Sequence, residues 1–258
     1  GLWDVVAELG ESERSVAQKR AALAVLLKDA LRDGRAEIAR RLALHPTRGR
    51  DATAAQAFLI DQLIRILYDF TTLYLYPSGN RSSGERLTLI AVGGYGRAEM
   101  APHSDIDIGF LTPFKQTAWV EQIIESMLYT LWDLGLKVGH SSRSLDDMVR
   151  MARSDLTIRT ALLEARYIWG DRALYEEASA RFLAEVVHGT ERVFVAEKLA
   201  ERDERHKRMG DSRYVVEPNV KEGKGGLRDL HTLFWIGKYL HKVRTVNELV
   251  DAGLLTQG

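Results

Sequence analysis

The strongest constraint on the fold of this chain is a pattern of glycines and aspartates between residues 90 and 111. An apolar run over residues 90–92 ends in a Gly-Gly pair, and about ten residues later an alternating segment carries Asp105 and Asp107. Successive side chains along a β-strand point to opposite faces, so the two aspartates share one face while the isoleucines beside them point into the core. The pattern therefore predicts two neighbouring strands with paired carboxylates.

The paired carboxylates and the Gly-Gly turn together indicate a particular chemistry. Two carboxylates a few ångströms apart repel each other, and a divalent metal ion is the usual solution. Gly93 and Gly94 carry no Cβ, so their backbone N–H groups can approach a bulky anion. These are the groups needed to transfer a nucleotidyl or phosphoryl group. A solvated strand face beside a plain tight turn is the alternative, and the joint occurrence of both features favours the metal site.

Two polar residues beside this pattern have alternative interpretations. Arg97 either helps to hold a triphosphate or pairs with Glu99 on the surface. Ser104 either donates to a phosphate oxygen or only caps its turn. Known nucleotide-binding loops of other kinds are excluded, because the chain has no G-x-G-x-x-G in a repeating βαβ layout and no Gly-Lys-Ser/Thr sequence.

The composition narrows the class of protein further. Among 258 residues, 36 Lys and Arg balance 36 Asp and Glu, which argues against a protein that mainly wraps nucleic acid. The absence of cysteine excludes disulfides, thiolate metal sites and a cysteine nucleophile. No apolar run is long enough for a membrane span and no signal peptide begins the chain, so we expect a cytoplasmic protein. Its start at Gly1 and its end inside an apparent helix suggest a piece of a longer chain.

The periodicity of the rest of the chain predicts an α+β fold. A small mixed-sheet core over residues 81–150 follows an N-terminal helical segment, residues 1–80, and precedes a helical domain, residues 151–258. The expected strands are residues 87–92, 105–111 and 136–142. The expected helices are residues 11–33 (ending at Asp33-Gly34), 51–76, 117–134, 156–169, 172–187, 192–209 and 227–240. Most aromatic residues are expected in the core, and only Tyr95 is a candidate for exposure at the site.

Several stretches carry a resemblance to a known family. The strand, the Gly-Gly turn and the Asp-x-Asp pair resemble the nucleotidyltransferase superfamily that includes DNA polymerase β. More specific stretches look like the amino-terminal domain of the bacterial PII uridylyltransferase/uridylyl-removing enzymes. They are residues 93–100, 102–107, 138–141 with Arg143, 162–166 and 217–231. The resemblance covers about residues 55–250. Glutamine synthetase adenylyltransferase shares the two-glycine and two-aspartate core but is less similar in wording.

The resemblance implies an activity and its participants. UTP would donate UMP to a tyrosine hydroxyl of the nitrogen-signalling protein PII, releasing pyrophosphate. Asp105 and Asp107 would hold Mg²⁺, with Mn²⁺ possible in its place, and Gly93 and Gly94 would cradle the phosphates. Transfer of AMP, transfer to a small molecule, and a nucleotide-sensing module without turnover are the alternatives. The family's hydrolase half carries a His-Asp metal dyad that this sequence lacks, so only the transferase half is expected here.

Two parts of the expected site stay open at the level of sequence. The superfamily normally has a third carboxylate on a neighbouring strand, and His140, Glu164 and Glu217 are the candidates. The segment from Glu217 to His231 is either a flexible glycine-rich loop before a helix or a phosphate-binding element. In the second case its basic residues reach the nucleotide: Lys221, Lys224 and Arg228.

Overall fold

A computed structural model describes residues 1–79, 82–210, 219–243, 246–251 and 253 of the chain. Contacts divide the chain into two compact units. The first unit consists of Gly1–Met148 and Glu164–Ser179, and the second consists of Val149–Leu163 and Ala180–Gly258. The N-terminal helices and the sheet therefore belong to the same unit. The predicted α+β class is confirmed.

The helices are numbered here in chain order. They are α1 (Leu2–Glu11), α2 (Val16–Leu44), α3 (Gly49–Phe70), α4 (Gly93–Gly96), α5 (Ala118–Asp133), α6 (Leu145–Ser154), α7 (Leu156–Leu163), α8 (Arg172–Arg181), α9 (Glu191–Arg208), α10 (Leu227–His241) and α11 (Val246–Asp251). A π-helical segment, Thr71–Leu75, extends α3, a second one, Phe182–Val187, extends α8, and a 3₁₀ turn spans Ser83–Glu85.

The sheet of the first unit has four strands in the order β3-β2-β1-β4. The strands are β1 (Thr88–Ala91), β2 (Ile106–Thr112), β3 (Val138–Ser144) and β4 (Arg166–Gly170). The central strand β1 is antiparallel to both β2 and β4, whereas β3 runs parallel to β2. Alternate residues of β2, including Ile106, Ile108 and Phe110, are buried in the core of this unit. Asp107 is thereby directed to the opposite face.

The predicted helix over 11–33 is wrong at its end, because α2 continues to Leu44. Gly34, which the sequence pattern predicts to stop the helix, lies inside it against α3. A Cβ at this position would come within 2.7 Å of the Leu59 side chain, so the glycine allows the two helices to approach closely. The predicted helix over 51–76 is confirmed by α3 and its π-helical extension.

The predicted helix over 156–169 is wrong in its second half. Helix α7 ends at Leu163, and β4 follows and pairs with β1. The segment Tyr167-Ile168-Trp169 is β-branched and aromatic, but a short apolar run of this kind does not distinguish strand from helix by periodicity alone. Pairing with the distant strand β1 decides the conformation, and Ile168 is fully buried as a result.

The second unit has a core of its own. The rings of Phe194 in α9 and Tyr239 in α10 stack with centroids 3.8 Å apart. Lys198, also on α9, is buried with its ammonium 4.4 Å from the centroid of the Trp235 ring and 2.6 Å from a Glu201 oxygen. Burial lowers the pKa of Lys198 despite this ion pair. Among all the residues that the structure describes, no helix has both the length and the apolar character needed to cross a bilayer.

An ion pair links the segment before β1 to the start of α8. Arg86 donates to both oxygens of Asp171, at 2.7 and 3.2 Å, and the Asp171 carboxylate also accepts from the backbone N–H of Leu174. The hydrogen bond from Arg86 is the largest cause of a lowered pKa of Asp171. A carboxyl whose pKa is lowered by folding stabilises the fold above its ordinary pKa, here 3.8, and this contribution is lost as the pH falls through the folded value.

We expect Arg86→Met to lower the free energy of unfolding at pH 7 by about 1 kcal/mol, near the upper end for a partly exposed pair because both oxygens are engaged. The difference from the wild type should shrink as the pH is lowered below 4, where Asp171 becomes protonated. Urea denaturation at several pH values measures this. Arg32→Met, which removes an exposed pair on α2, is the matched control and should change stability less. An equal loss in both variants at pH 7 would contradict the assignment.

Candidate active site

The two aspartates lie at the start of β2 as the alternation predicts. Asp105 directly precedes the strand and is exposed, whereas Asp107 is half-buried within it. Burial raises the pKa of Asp107, and the negative charge of Asp105 raises it further. Two carboxylates whose charges interact in this way form a centre of negative potential, which favours a cation. This is the electrostatic property expected of a metal-binding pair.

The glycine turn lies directly beside Asp107. The backbone N–H of Val92 donates to the carbonyl oxygen of Asp107 at 3.0 Å, so the pairing of β1 with β2 continues up to the turn. Gly93 has a φ of +60°, a conformation that favours glycine, and a Cβ there would lie 3.4 Å from Asp107 Oδ2. The one-turn helix α4 starts at this residue, and the first N–H groups of a helix have no acceptor within it.

Gly139 is a site residue whose importance the sequence analysis missed. It lies on β3 directly opposite Asp107 in the parallel register. A Cβ at Gly139 would approach Asp107 Oδ1 to 2.4 Å, a distance that real side chains do not tolerate. The available signal was a glycine inside a predicted strand, which often marks the close approach of another group. The Asp107 carboxylate is thus flanked by Gly93 on one side and Gly139 on the other.

Arg97 is held by carboxylates on two sides. It donates to Glu99 at 2.8 Å and to Glu164 at 2.7 Å, and its side chain is only 14% exposed. Of the two alternatives for Arg97, the pairing with Glu99 is present in the structure. Its role toward a triphosphate stays a prediction. Ser104 closes its turn, because its hydroxyl accepts from the N–H of Ala101 at 3.0 Å and leaves its own proton available.

The prediction that Tyr95 is exposed is wrong, because only 1% of this residue is accessible. Its hydroxyl donates to Asp61 of α3 at 2.6 Å. Burial, followed by the nearby charge of Asp61, raises the pKa of Tyr95 well above its ordinary value, so the hydroxyl keeps its proton. Tyr95 therefore anchors the glycine turn instead of facing a ligand.

The candidates for a third carboxylate are placed differently. His140 follows Gly139 on β3 and so lies on the opposite face from Asp107, with its ring 6.2 Å from that of Trp132. Glu164 is buried and its Oε2 accepts from Arg97. Glu217 lies outside the described residues. Within the described part of the chain, no group of three or more His, Cys, Asp or Glu residues lies close enough together to hold one metal ion.

Comparison with known proteins shows which enzymes the chain is similar to. The chain is 69% identical over 239 residues to the bifunctional uridylyltransferase/uridylyl-removing enzyme of Novosphingobium aromaticivorans. The aligned region covers 93% of the chain and 26% of that protein. The corresponding enzymes of Erythrobacter litoralis and Rhodospirillum rubrum are 64% and 56% identical over 95% and 99% of the chain, and over 27% of each protein. Over nearly its whole length the chain is homologous to these bifunctional enzymes. It spans about a quarter of the length of these relatives.

The family described as GlnD PII-uridylyltransferase matches residues 193–258. These residues include the loop 219–226 before α10, called the basic loop here, in which Lys221 is exposed. Arg228 donates to Glu222 at 3.3 Å and lies 5.8 Å from the centroid of the Trp235 ring. Lys224 lines a cavity of about 780 Å³ between α9 and α10. The phosphate-binding roles of these three cations stay predictions.

The basic loop forms a compact turn. This differs from the flexible glycine-rich loop that is one of the two interpretations of the segment from its sequence. The side-chain oxygen of Asn219 accepts the backbone N–H groups of Lys221 and Glu222 at 3.0 and 2.8 Å. A Cβ at Gly223 would approach the Asn219 carbonyl oxygen to 2.6 Å, and one at Gly226 would equally crowd the loop backbone. The glycines therefore permit a compact turn that leads into α10.

The influence of Asp105 on Asp107 can be measured directly. We expect Asp105→Asn to bring the pKa of Asp107 part of the way back toward its ordinary value, because burial, the larger cause, remains. A ¹³C NMR titration of the carboxyl carbons in the metal-free protein reports this pKa. Glu125→Gln, an exposed acid on α5, is the control and should leave it unchanged. An unchanged Asp107 pKa in Asp105→Asn would show that the two charges do not interact.

Proposed function

We propose that this chain transfers UMP from UTP to a tyrosine hydroxyl of the PII signalling protein, releasing pyrophosphate, in the cytoplasm. The observation that carries the proposal is the position of the Asp107 carboxylate beside Asp105 and between Gly93 and Gly139. The relatives that match most of the chain are named uridylyltransferases, which supports the choice of nucleotide.

Asp105 and Asp107 are the residues that would hold Mg²⁺, or Mn²⁺ in its place. Their oxygens are hard donors of the kind that these ions prefer. Burial, followed by the charge of Asp105, raises the pKa of Asp107, and a bound cation would favour the ionised carboxylate again. Mg²⁺ commonly takes only one or two protein carboxylates and completes its coordination with water and phosphate oxygens, so a pair suffices. When bound there, such an ion would supply positive charge to neutralise the triphosphate.

The residues of the chain itself would bind and orient the substrate. The N–H groups of Gly93 and Gly94 are proposed to bind phosphate oxygens, because neither residue has a side chain to keep the triphosphate away. Ser104 can donate its hydroxyl proton to a phosphate while accepting from Ala101. Lys221, Lys224 and Arg228 are proposed to bind phosphate through their positive charges.

The acceptor hydroxyl must become a better nucleophile. A tyrosine hydroxyl has an ordinary pKa near 10 and is largely protonated at neutral pH. Coordination to a metal ion or a neighbouring base must therefore activate it. Arg97 would contribute indirectly, since its guanidinium already pairs with Glu99 and Glu164.

The proposed reaction is tested by incubating the chain with PII, Mg²⁺ and each of the four labelled ribonucleoside triphosphates in turn. We expect label on PII with UTP alone, and a PII variant lacking its acceptor tyrosine is the control. Label with ATP instead would indicate adenylyl transfer. Binding of a nucleotide without any transfer would indicate a sensing module, and either result would overturn the proposal.

Asp107→Asn should abolish transfer while preserving the fold. Loss of one of the two metal-binding carboxylates should slow transfer at least about a hundredfold, because such a site supplies several kcal/mol of charge stabilisation. Circular dichroism should match the wild type, and the metal-free variant should be at least as stable to heat, because the substitution removes a charge that burial disfavours. Asp133→Asn, an exposed acid at the end of α5, is the matched control and should retain full activity. Substantial transfer by Asp107→Asn would remove the basis for the metal assignment.

Gly139→Ala tests the space beside the carboxylate. The added methyl group would force the Asp107 side chain to move, because it would lie 2.4 Å from Oδ1. We expect a loss of activity of about tenfold or more, partly recovered at high Mg²⁺ concentration, with little change in stability. Gly49→Ala is the matched control, since its new methyl group meets open space at the start of α3. Equal activity of the two variants would show that Asp107 does not need its observed position.

A further inference from the structure

The glycine turn is held from behind by a buried network that the proposed reaction does not itself use. The network consists of Tyr95 in the turn, Asp61 on α3 and Arg166 on β4, all within the first unit. Asp61 Oδ1 accepts from the Tyr95 hydroxyl at 2.6 Å and from Arg166 at 3.2 Å, while its Oδ2 accepts from Arg166 at 2.6 Å. One buried carboxylate thus joins the turn to a helix and to a strand.

Arg166 contacts the same turn residue a second time. Its Nη2 donates to the backbone carbonyl of Tyr95 at 3.2 Å, and its guanidinium carbon lies 5.4 Å from the centroid of the Tyr95 ring. The arginine fork therefore holds both the side-chain acceptor of Tyr95 and its main chain. A planar guanidinium that donates through two nitrogens restricts the orientation of its acceptors more than a single hydrogen bond does.

The next residues of the turn have no room to move. A Cβ at Gly96 would approach the Glu164 carbonyl oxygen to 2.2 Å, so the backbone of the turn packs directly on the segment before β4. Arg97 then pairs with the Glu164 carboxylate at 2.7 Å. The front of the turn, at Gly93, lies against Asp107. A displacement at the back of this turn is therefore transmitted to the side that faces the aspartates.

We propose that Asp61 and Tyr95 are positioning residues, which fix the backbone N–H groups of Gly93 and Gly94 at the distance from Asp107 that the triphosphate of the nucleotide requires. This inference rests on the proposed function for the identity of the ligand. Neither side chain touches the nucleotide. The network acts by keeping the N–H groups oriented before the substrate arrives, and preorganised donors bind an anion more tightly than donors that must be ordered on binding.

Tyr95→Phe tests the proposal, because it removes one hydroxyl and leaves the Arg166–Asp61 pair intact. We expect the dissociation constant and the KM for UTP to rise about threefold to tenfold, with a smaller change in kcat. The ¹⁵N–¹H signals of Gly93 and Gly94 should shift in the ligand-free protein. The matched control is Tyr167→Phe, which removes a tyrosine hydroxyl that donates to the Gly170 carbonyl at 2.7 Å, away from the turn.

A double-mutant cycle with Asp61→Asn separates positioning from a general loss of stability. Both substitutions act on the same chain of contacts, so their effects on UTP binding per folded molecule should not add. The proposal is overturned if Tyr95→Phe lowers the urea midpoint but leaves UTP binding and the two glycine signals as they are in Tyr167→Phe. It is also overturned if the effects of the two substitutions on binding are fully additive.

Failure of the proposed function would have a different appearance. The wild type would then bind another nucleoside triphosphate in preference to UTP, or none. In the first case the same comparison is made with that nucleotide. In the second case, unshifted Gly93 and Gly94 signals in Tyr95→Phe still overturn the positioning role, and shifted signals support it independently of any activity.

Discussion

The site depends on one carboxylate that is only half hydrated. Asp107 lies within β2, where burial and the neighbouring charge of Asp105 both oppose its ionisation. A charge in such a place is costly unless a cation relieves it, which is the physical reason for proposing a metal ion here. Gly93 and Gly139 face the two oxygens without side chains, so the space beside the carboxylate stays open.

Local patterns in the sequence were sufficient to predict the front of this site. The alternation around Asp105 and Asp107 predicts a shared face, because the two-residue repeat of a strand is fixed by backbone geometry. The α+β class follows from the same periodicities. In all of these cases the deciding contacts join residues that are close along the chain.

The back of the site could not be predicted in this way. The strand β4, the register that places Gly139 opposite Asp107 and the burial of Tyr95 all depend on partners that are distant in sequence. The hydroxyl of Tyr95 reaches Asp61, 34 residues earlier, and Arg166 reaches the same carboxylate across 105 residues. Neither an acid inside an amphipathic helix nor an arginine before an aromatic run identifies its partner. Local propensity is overridden wherever such a contact is the stronger one.

The first unit is discontinuous along the chain, and this affects how the protein can be made and divided. Its four-stranded sheet is complete only when residues 164–179 return to it after the excursion of residues 149–163 into the second unit. During synthesis, one edge of β1 therefore stays unpaired until β4 has been made. The ion pair between Arg166 and the buried Asp61 can also form only at that point. Cutting the chain at one position does not separate the two units. Truncation after residue 148 removes the edge strand β4 and with it Arg166, the cation that holds the glycine turn. The N-terminal half of the chain thus receives the last part of its own core from the C-terminal half.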